Sequence, residues 1–145
     1  MIAKLENQIN DITLNADGSM LFAADSSGFV HSWILKGLKT LPKFRADKSG
    51  LLKIKSFSLV DRRSSHVYDL LVTSGREQDA KFWCSPKNDS KDAVLVGQTP
   101  RFENPMSLMD VSEFRPSLWA VEKTGSLLGF RAEEILRFQS LRQCL

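Results

Sequence analysis

The chain has 145 residues, 42% of them hydrophobic and 26% charged, with a formal net charge of +3. That length accommodates one domain with a sizeable core, and that balance excludes a chain disordered throughout. No apolar run approaches the ~20 residues of a membrane helix and the start MIAKLENQIND lacks the apolar centre of a signal peptide, so the expectation is a soluble protein of the cytoplasm or nucleus without a membrane partner.

Taken in order, Ile9, Ile12 and Leu14 before Asn15-Ala16-Asp17-Gly18 read as a strand entering a tight Asp-Gly turn. Met20 to Ala24, the turn Asp25-Ser26-Ser27-Gly28 and Phe29 to Trp33 form a hairpin, since β-branched and aromatic residues suit a half-buried pleated surface. Thr40 to Arg45 makes a fourth strand, and Pro42 and Lys43 place it on an edge. A second unit runs through Leu51 to Leu59, Val67 to Thr73, a turn around Gly75, Ala80 to Trp83 and an outer strand at Ala93 to Gly97. A third has strands at Met106 to Val111, Leu118 to Val121 and Ser126 to Phe130, with no fourth strand visible. Trp33, Trp83 and Phe130 close the three units at intervals of 50 and 47 residues. The tail 132–142 is rich in helix formers with apolar residues at 135, 136, 138 and 141, which predicts a short amphipathic helix.

Three units of 9–45, 51–99 and 105–130, each a meander whose third strand ends on an aromatic, resemble WD-repeat β-propeller blades. The likeness rests on Ala16-Asp17-Gly18, on Ser27-Gly28 through Trp33, and on Thr73-Ser74-Gly75 through Trp83. It implies an all-β fold of consecutive four-stranded antiparallel sheets, a partial propeller in one domain, with Trp33 and Trp83 as structural blade tryptophans and Thr73 as the hydroxyl of the buried blade network. The family's Gly-His dipeptide is missing from every unit, and Ser27 and Glu77 stand where its aspartate would. Other repeated meander folds stay open.

A propeller sheet buries both faces against its neighbours, so three in a row leave two uncovered. The expected function is therefore a protein-interaction scaffold, a subunit or adaptor of a multiprotein complex. Ile2, Ile9, Ile12 and Leu14 are the expected partner contacts at one end, and Leu118, Leu127, Phe130, Ile135 and Phe138 at the other. A shortened piece of a longer propeller, a chain completing a partner's propeller and a homodimer all remain open. Between Lys36 and Arg63 nine basic residues stand against two acidic ones. Lys39, Lys43, Arg45, Lys53, Lys55, Arg62 and Arg63 with Phe44 and Phe57 thus make a candidate polyanion surface, and a nucleic-acid module is the alternative reading. Lysines that keep an edge strand soluble account for the same pattern.

Chemistry is harder to find. Cys84 and Cys144 have no CxxC spacing and are expected as free thiols, buried or terminal. His31 and His66 are the only histidines, too few for a metal site unless other ligands converge on them. Asp61, His66 and Asp69 lie near Ser64 and Ser65, but nothing there resembles a nucleophile elbow, and no glycine-rich phosphate loop exists. Asn88-Asp89-Ser90 is a glycosylation sequon only in a secreted chain. No enzyme, metal or cofactor is expected.

Overall fold

Eleven strands in chain order build three antiparallel sheets in the computed structural model, which describes residues 3–61, 63–87, 93–112, 117–136 and 138–145 and omits the side chains of 138 and 139. The first sheet holds β1 (Ile9–Leu14), β2 (Met20–Asp25), β3 (Phe29–Ile34) and β4 (Lys39–Arg45). The second holds β5 (Leu51–Val60), β6 (Val67–Gly75), β7 (Ala80–Cys84) and β8 (Leu95–Gln98). The third has three strands among the described residues: β9 (Met106–Ser112), β10 (Ser117–Glu122) and β11 (Leu127–Arg131). Within each sheet every strand pairs with the next in sequence, the simplest way to satisfy backbone groups with short connections.

The first strands of successive sheets lie side by side, β1 along β5 and β5 along β9. Side chains tie them where no ladder does. Asn10 Nδ2 donates to the Leu51 carbonyl at 2.7 Å, the Ile54 N–H to Asp11 Oδ2 at 3.0 Å, and the Ser56 N–H to Thr13 Oγ1 at 3.2 Å. The sheets stack face to face around two cores. Phe22, Ala24, Val30 and Leu41 of the first meet Leu51, Ile54, Leu71 and Trp83 of the second. The other face of the second, with Leu70, Val72 and Phe82, meets Met109, Leu118 and Ala120 of the third. Fully burying a side chain such as Phe22 or Phe82 is worth about 2 kcal/mol, so these two interfaces dominate the stability.

One end of the stack is stitched by backbone. The Ala46 N–H donates to the Gly28 carbonyl at 2.8 Å, the Arg76 N–H to Gly50 at 3.0 Å, and the Lys123 N–H to Pro105 at 3.1 Å. Glycine is required there by space as well as by φ. A Cβ on Gly28 would fall 1.8 Å from the Asp47 carbonyl oxygen, and one on Gly50 would fall 2.5 Å from that of Ser26.

The tail departs from expectation. Instead of one helix it forms α1 (Ala132–Ile135), α2 (Phe138–Leu141) and a final 3-10 turn (Arg142–Cys144). Leu136 interrupts the helical path with an antiparallel bridge to Gly97 of β8. A Cβ on Gly97 would lie 2.6 Å from the Ile135 carbonyl oxygen, so the crossing depends on glycine. Tail residues Ile135, Leu136 and Leu141 join the core between the second and third sheets. The expected free thiols are likewise corrected: Cys84 on β7 and Cys144 in the last turn form a disulfide, with Cα atoms 5.0 Å apart. Folding the tail back onto β8 brings these distant positions together.

Candidate partner-binding faces

Residues opposite each other in an antiparallel ladder share a face, so the registers assign every strand position a side. In the second sheet Trp83 lies opposite Leu71 and turns toward the first sheet, where Phe44 packs on it at a ring separation of 5.1 Å. Phe130, opposite Leu118, turns toward the second sheet and meets Phe102 at 5.8 Å. Each closing aromatic thus faces the preceding sheet. Trp33, opposite Leu21, stands at the same repeat position, and among the described residues no sheet precedes it.

The Trp33 face of the first sheet consequently carries Ile12, Leu14 and Leu21, in register with Ala23 and His31 or with one another and Trp33. Ile12 and Leu14 are 60% and 52% exposed, while Trp33 itself is buried beside the stacked His31 ring. At the far end of the stack, Leu108 lies opposite Val121 and Val121 opposite Leu127, with Trp119 on the same side. Leu108, Trp119 and Leu127 are 63%, 49% and 66% exposed. Gly129 gives the Trp119 ring a bed, since a Cβ there would fall 2.7 Å from it.

Sequence reasoning located these ends but not all their residues. Ile12, Leu14 and Leu127 do lie on outer faces, and Ile9 is half-buried at the start of β1. Leu118 and Ile135 are interior, and Phe130 is half-buried against the core, so these three serve contacts within the chain. Leu108, Trp119 and Val121 were missed. Strict alternation opposes Trp119 to Leu118, but with apolar residues on both sides of β10 it does not say which side is covered. Ile2, Arg62 and the Phe138 side chain lie outside the described residues, as does the sequon.

The basic residues do not converge. Lys39, Lys43 and Arg45 lie on β4, with Lys43 and Arg45 over the Phe29 ring at 4.6 and 4.7 Å. Lys53 and Lys55 lie on β5 at the inner edge, Lys55 3.8 Å from Asp110, and Arg63 sits in the connection between β5 and β6. Phe57 is buried and Phe44 packs on Trp83, so neither ring offers a free stacking platform.

The polar interior is structural. Asp25 accepts hydrogen bonds from the Ser27 N–H and Oγ and from the Phe29 N–H, and pairs with His31 Nε2 at 2.8 Å. Burial pushes its carboxyl up, but His31 and the Phe29 and Ser27 donors outweigh it and hold the group down at about 2. Trp83 Nε1 donates to Thr73 Oγ1 at 2.9 Å, whereas the buried Trp33 Nε1 has no partner among the described residues, Ala23 occupying the matching position.

Asp47, Glu77 and Asp79 bring carboxylate oxygens within 4.8 Å of one another beside an open hollow of about 440 Å³ rimmed by Arg76 and Arg101. Lys81 already serves as their cation, bonded to Glu77 and 3.5 Å from Asp79. The Lys81 bond draws the Glu77 carboxyl below its usual range. Asp47 is turned to the Ser49 and Glu77 N–H groups at 2.7 and 3.2 Å. The Ser64, His66 and Asp69 group does not assemble: Ser64 bonds Asp61, Asp69 bonds Ser58, and His66 is exposed.

No protein-family model matches the sequence, and no curated protein matches it. Solved structures do. Two crystal structures of BBS1N in complex with ARL6DN, soaked with mercury and with lead, are 15% and 16% identical. They match 95% and 87% of this chain at a TM-score of 0.67, covering 40% and 37% of their own chains. A chain of the mitotic checkpoint complex is 10% identical, matches 91% of this chain at a TM-score of 0.69 and is itself covered over 38%. This chain therefore spans about two fifths of the length of those neighbours. At such identities the likeness speaks for the fold alone, and that fold is propeller-like: consecutive antiparallel sheets stacked around aligned inner strands.

Proposed function

We propose that this chain is a divergent WD-repeat unit without enzymatic activity that acts as a protein-interaction scaffold, a subunit or adaptor within a multiprotein complex. The observation that carries the reading is the pair of uncovered apolar faces, Ile12 and Leu14 at one end of the stack and Leu108, Trp119 and Leu127 at the other. Monomers rarely leave such patches open. Covering several hundred Å² at ~25 cal/mol per Å² is worth several kcal/mol before association costs, so a partner has a physical reason to bind. The neighbours' own settings, BBS1N with ARL6DN and a checkpoint complex, agree with this reading. The Thr73–Trp83 bond is the pairing the WD-repeat resemblance implies.

Tagged protein expressed at native level, purified and analysed by mass spectrometry and sizing, tests the proposal. A protein partner recovered in fixed stoichiometry, and lost on Leu127→Lys or Leu14→Lys, is the expected result. A cooperatively folded monomer at high concentration with no partner recovered would overturn it. Tight nucleic-acid retention on a filter that falls steeply with salt would replace it with the alternative, in which the lysines of β4 contact phosphate.

A further inference from the structure

The connection between β5 and β6 carries the one pair of adjacent basic residues in this sequence, Arg62-Arg63, followed directly by Ser64-Ser65. The two serines have different surroundings. Ser64 Oγ donates to Asp61 Oδ2 at 2.6 Å and the Arg63 N–H donates to Asp61 Oδ1 at 2.9 Å, so Ser64 belongs to the turn's own bonding. Ser65 is exposed, and its hydroxyl has no hydrogen-bond partner among the described residues. Its φ of +57 is a left-handed conformation that a side chain adopts only at a cost, so opening the turn at this residue also relieves strain. We propose that Ser65 is a phosphorylation site for a serine kinase that selects arginines two and three residues before the acceptor.

Selection of this kind is electrostatic, guanidinium groups at those two positions pairing with carboxylates of the kinase cleft. Arg63 is exposed and has no ion-pair partner among the described residues, while Arg62 enters by its place in the sequence alone. Access is the second requirement. β7 ends at Cys84, opposite Leu70, whereas β5 and β6 continue through the rungs Leu59–Tyr68 and Val60–Val67. The bond from the Asp61 N–H to the His66 carbonyl at 2.9 Å then closes the hairpin. Val60 and Val67 are 55% and 51% exposed, so opening that last rung to present Ser65 uncovers no core. In the transfer, Ser65 Oγ attacks the γ-phosphorus of kinase-bound ATP and the bond from that phosphorus to the bridging β-phosphate oxygen breaks. ADP leaves, and the hydroxyl proton passes to the catalytic carboxylate of the kinase. The phosphate adds a charge of about −2 to a connection that holds one aspartate and two arginines. Its sign turns from positive to negative beside the exposed valines, which changes the class of surface that can dock there.

The test incubates the purified full chain with magnesium-ATP and an arginine-directed serine kinase, the catalytic subunit of cyclic-AMP-dependent protein kinase, and maps phosphate by peptide mass spectrometry. The expected result is phosphate on Ser65 in a chain whose circular dichroism matches that of the untreated protein. Ser65→Ala should abolish incorporation and Ser64→Ala should retain it. Arg62→Ala and Arg63→Ala should each lower kcat/KM for the chain as substrate at least about tenfold, the loss of one charge-assisted contact. Arg63, Ser64 and Ser65 are exposed, so their substitution leaves the cores intact. Phosphate on Ser64 instead, undiminished incorporation into Ser65→Ala, arginine variants modified at the original rate, or no phosphate on the folded chain would each overturn the proposal. The partner-binding faces have a separate readout, the stoichiometric partner recovered at native expression.

Discussion

Breaking the Cys84–Cys144 bond should cost this protein about 4 kcal/mol, a large share of the stability of any domain this size. The disulfide joins positions 60 residues apart, enclosing β8, the whole third sheet and most of the tail. In the chain-entropy description, opening a loop of that length returns about 14 cal/mol/K to the unfolded ensemble, or about 4 kcal/mol at 25 °C. Both cysteines are buried in the core between the second and third sheets. Replacement by alanine leaves less unsatisfied polarity than serine, so Cys84→Ala/Cys144→Ala is the informative variant. Urea unfolding of the oxidised chain, the dithiol-reduced chain and the double variant should give one high midpoint and two similar lower ones with comparable m-values. Thiol titration of the purified oxidised chain should find no free thiol. Unfolding free energies that agree within about 0.5 kcal/mol in the presence and absence of dithiol would refute the reasoning, because a loop that long must contribute if it is closed.

Three further outcomes are expected. Thr73→Ala orphans the Trp83 indole and should cost about 1 to 3 kcal/mol, while Ala23→Ser gives Trp33 Nε1 the acceptor it lacks and should gain up to about 1 kcal/mol; chemical denaturation reads both, and equal effects would deny the asymmetry. Gly50→Ala forces a side chain to φ +118 and against the Ser26 carbonyl, so it should destabilise by more than about 2 kcal/mol, whereas Gly18→Ala, with open space around it, should pay only the cost of its positive φ. The Asp25 carboxyl is depressed from its ordinary 3.8 to about 2, so its stabilising contribution is full above pH ~4 and lost as pH falls through about 2. The stability gap between the native chain and Asp25→Asn should therefore narrow by about 2 kcal/mol across that window, and a gap independent of pH would contradict the bonding described.

Strand positions were legible in the sequence because turn chemistry and alternation agree, as at Asp25-Ser26-Ser27-Gly28 between Ala24 and Phe29. The repeat of Trp33, Trp83 and Phe130 located the three sheets. What alternation lacks is contrast when both faces are apolar, and β10 is such a case: Leu118 and Ala120 are buried, Trp119 and Val121 are not. The tail misled for a different reason. Its apolar spacing at 135, 138 and 141 is helical, yet the cleft beside Gly97 accepts an extended Leu136, a tertiary contact that local propensity does not encode. The disulfide shares that origin, since only the folded-back tail brings its sulfurs together.

The close glycine crossings at one end of the stack, Gly28 against Asp47 and Gly50 against Ser26, make the two ends unequal as sites for added sequence. At the stitched end, residues 26–28, 46–50 and 76–78 cross one another with carbonyls and N–H groups already committed, so an inserted residue would break bonds in two sheets. At the other end the Asp61 N–H closes the β5–β6 hairpin on the His66 carbonyl, and the Leu38 N–H closes the β3–β4 turn on the Leu35 carbonyl, while the Leu35 N–H itself is held by the Ser19 carbonyl. Lengthening those hairpins costs little beyond loop entropy, about 0.6 kcal/mol per doubling. Peptide tags, epitopes or grafted recognition loops thus belong between residues 63 and 65 or between 36 and 37, where the chain can grow without disturbing the registers that hold its sheets together.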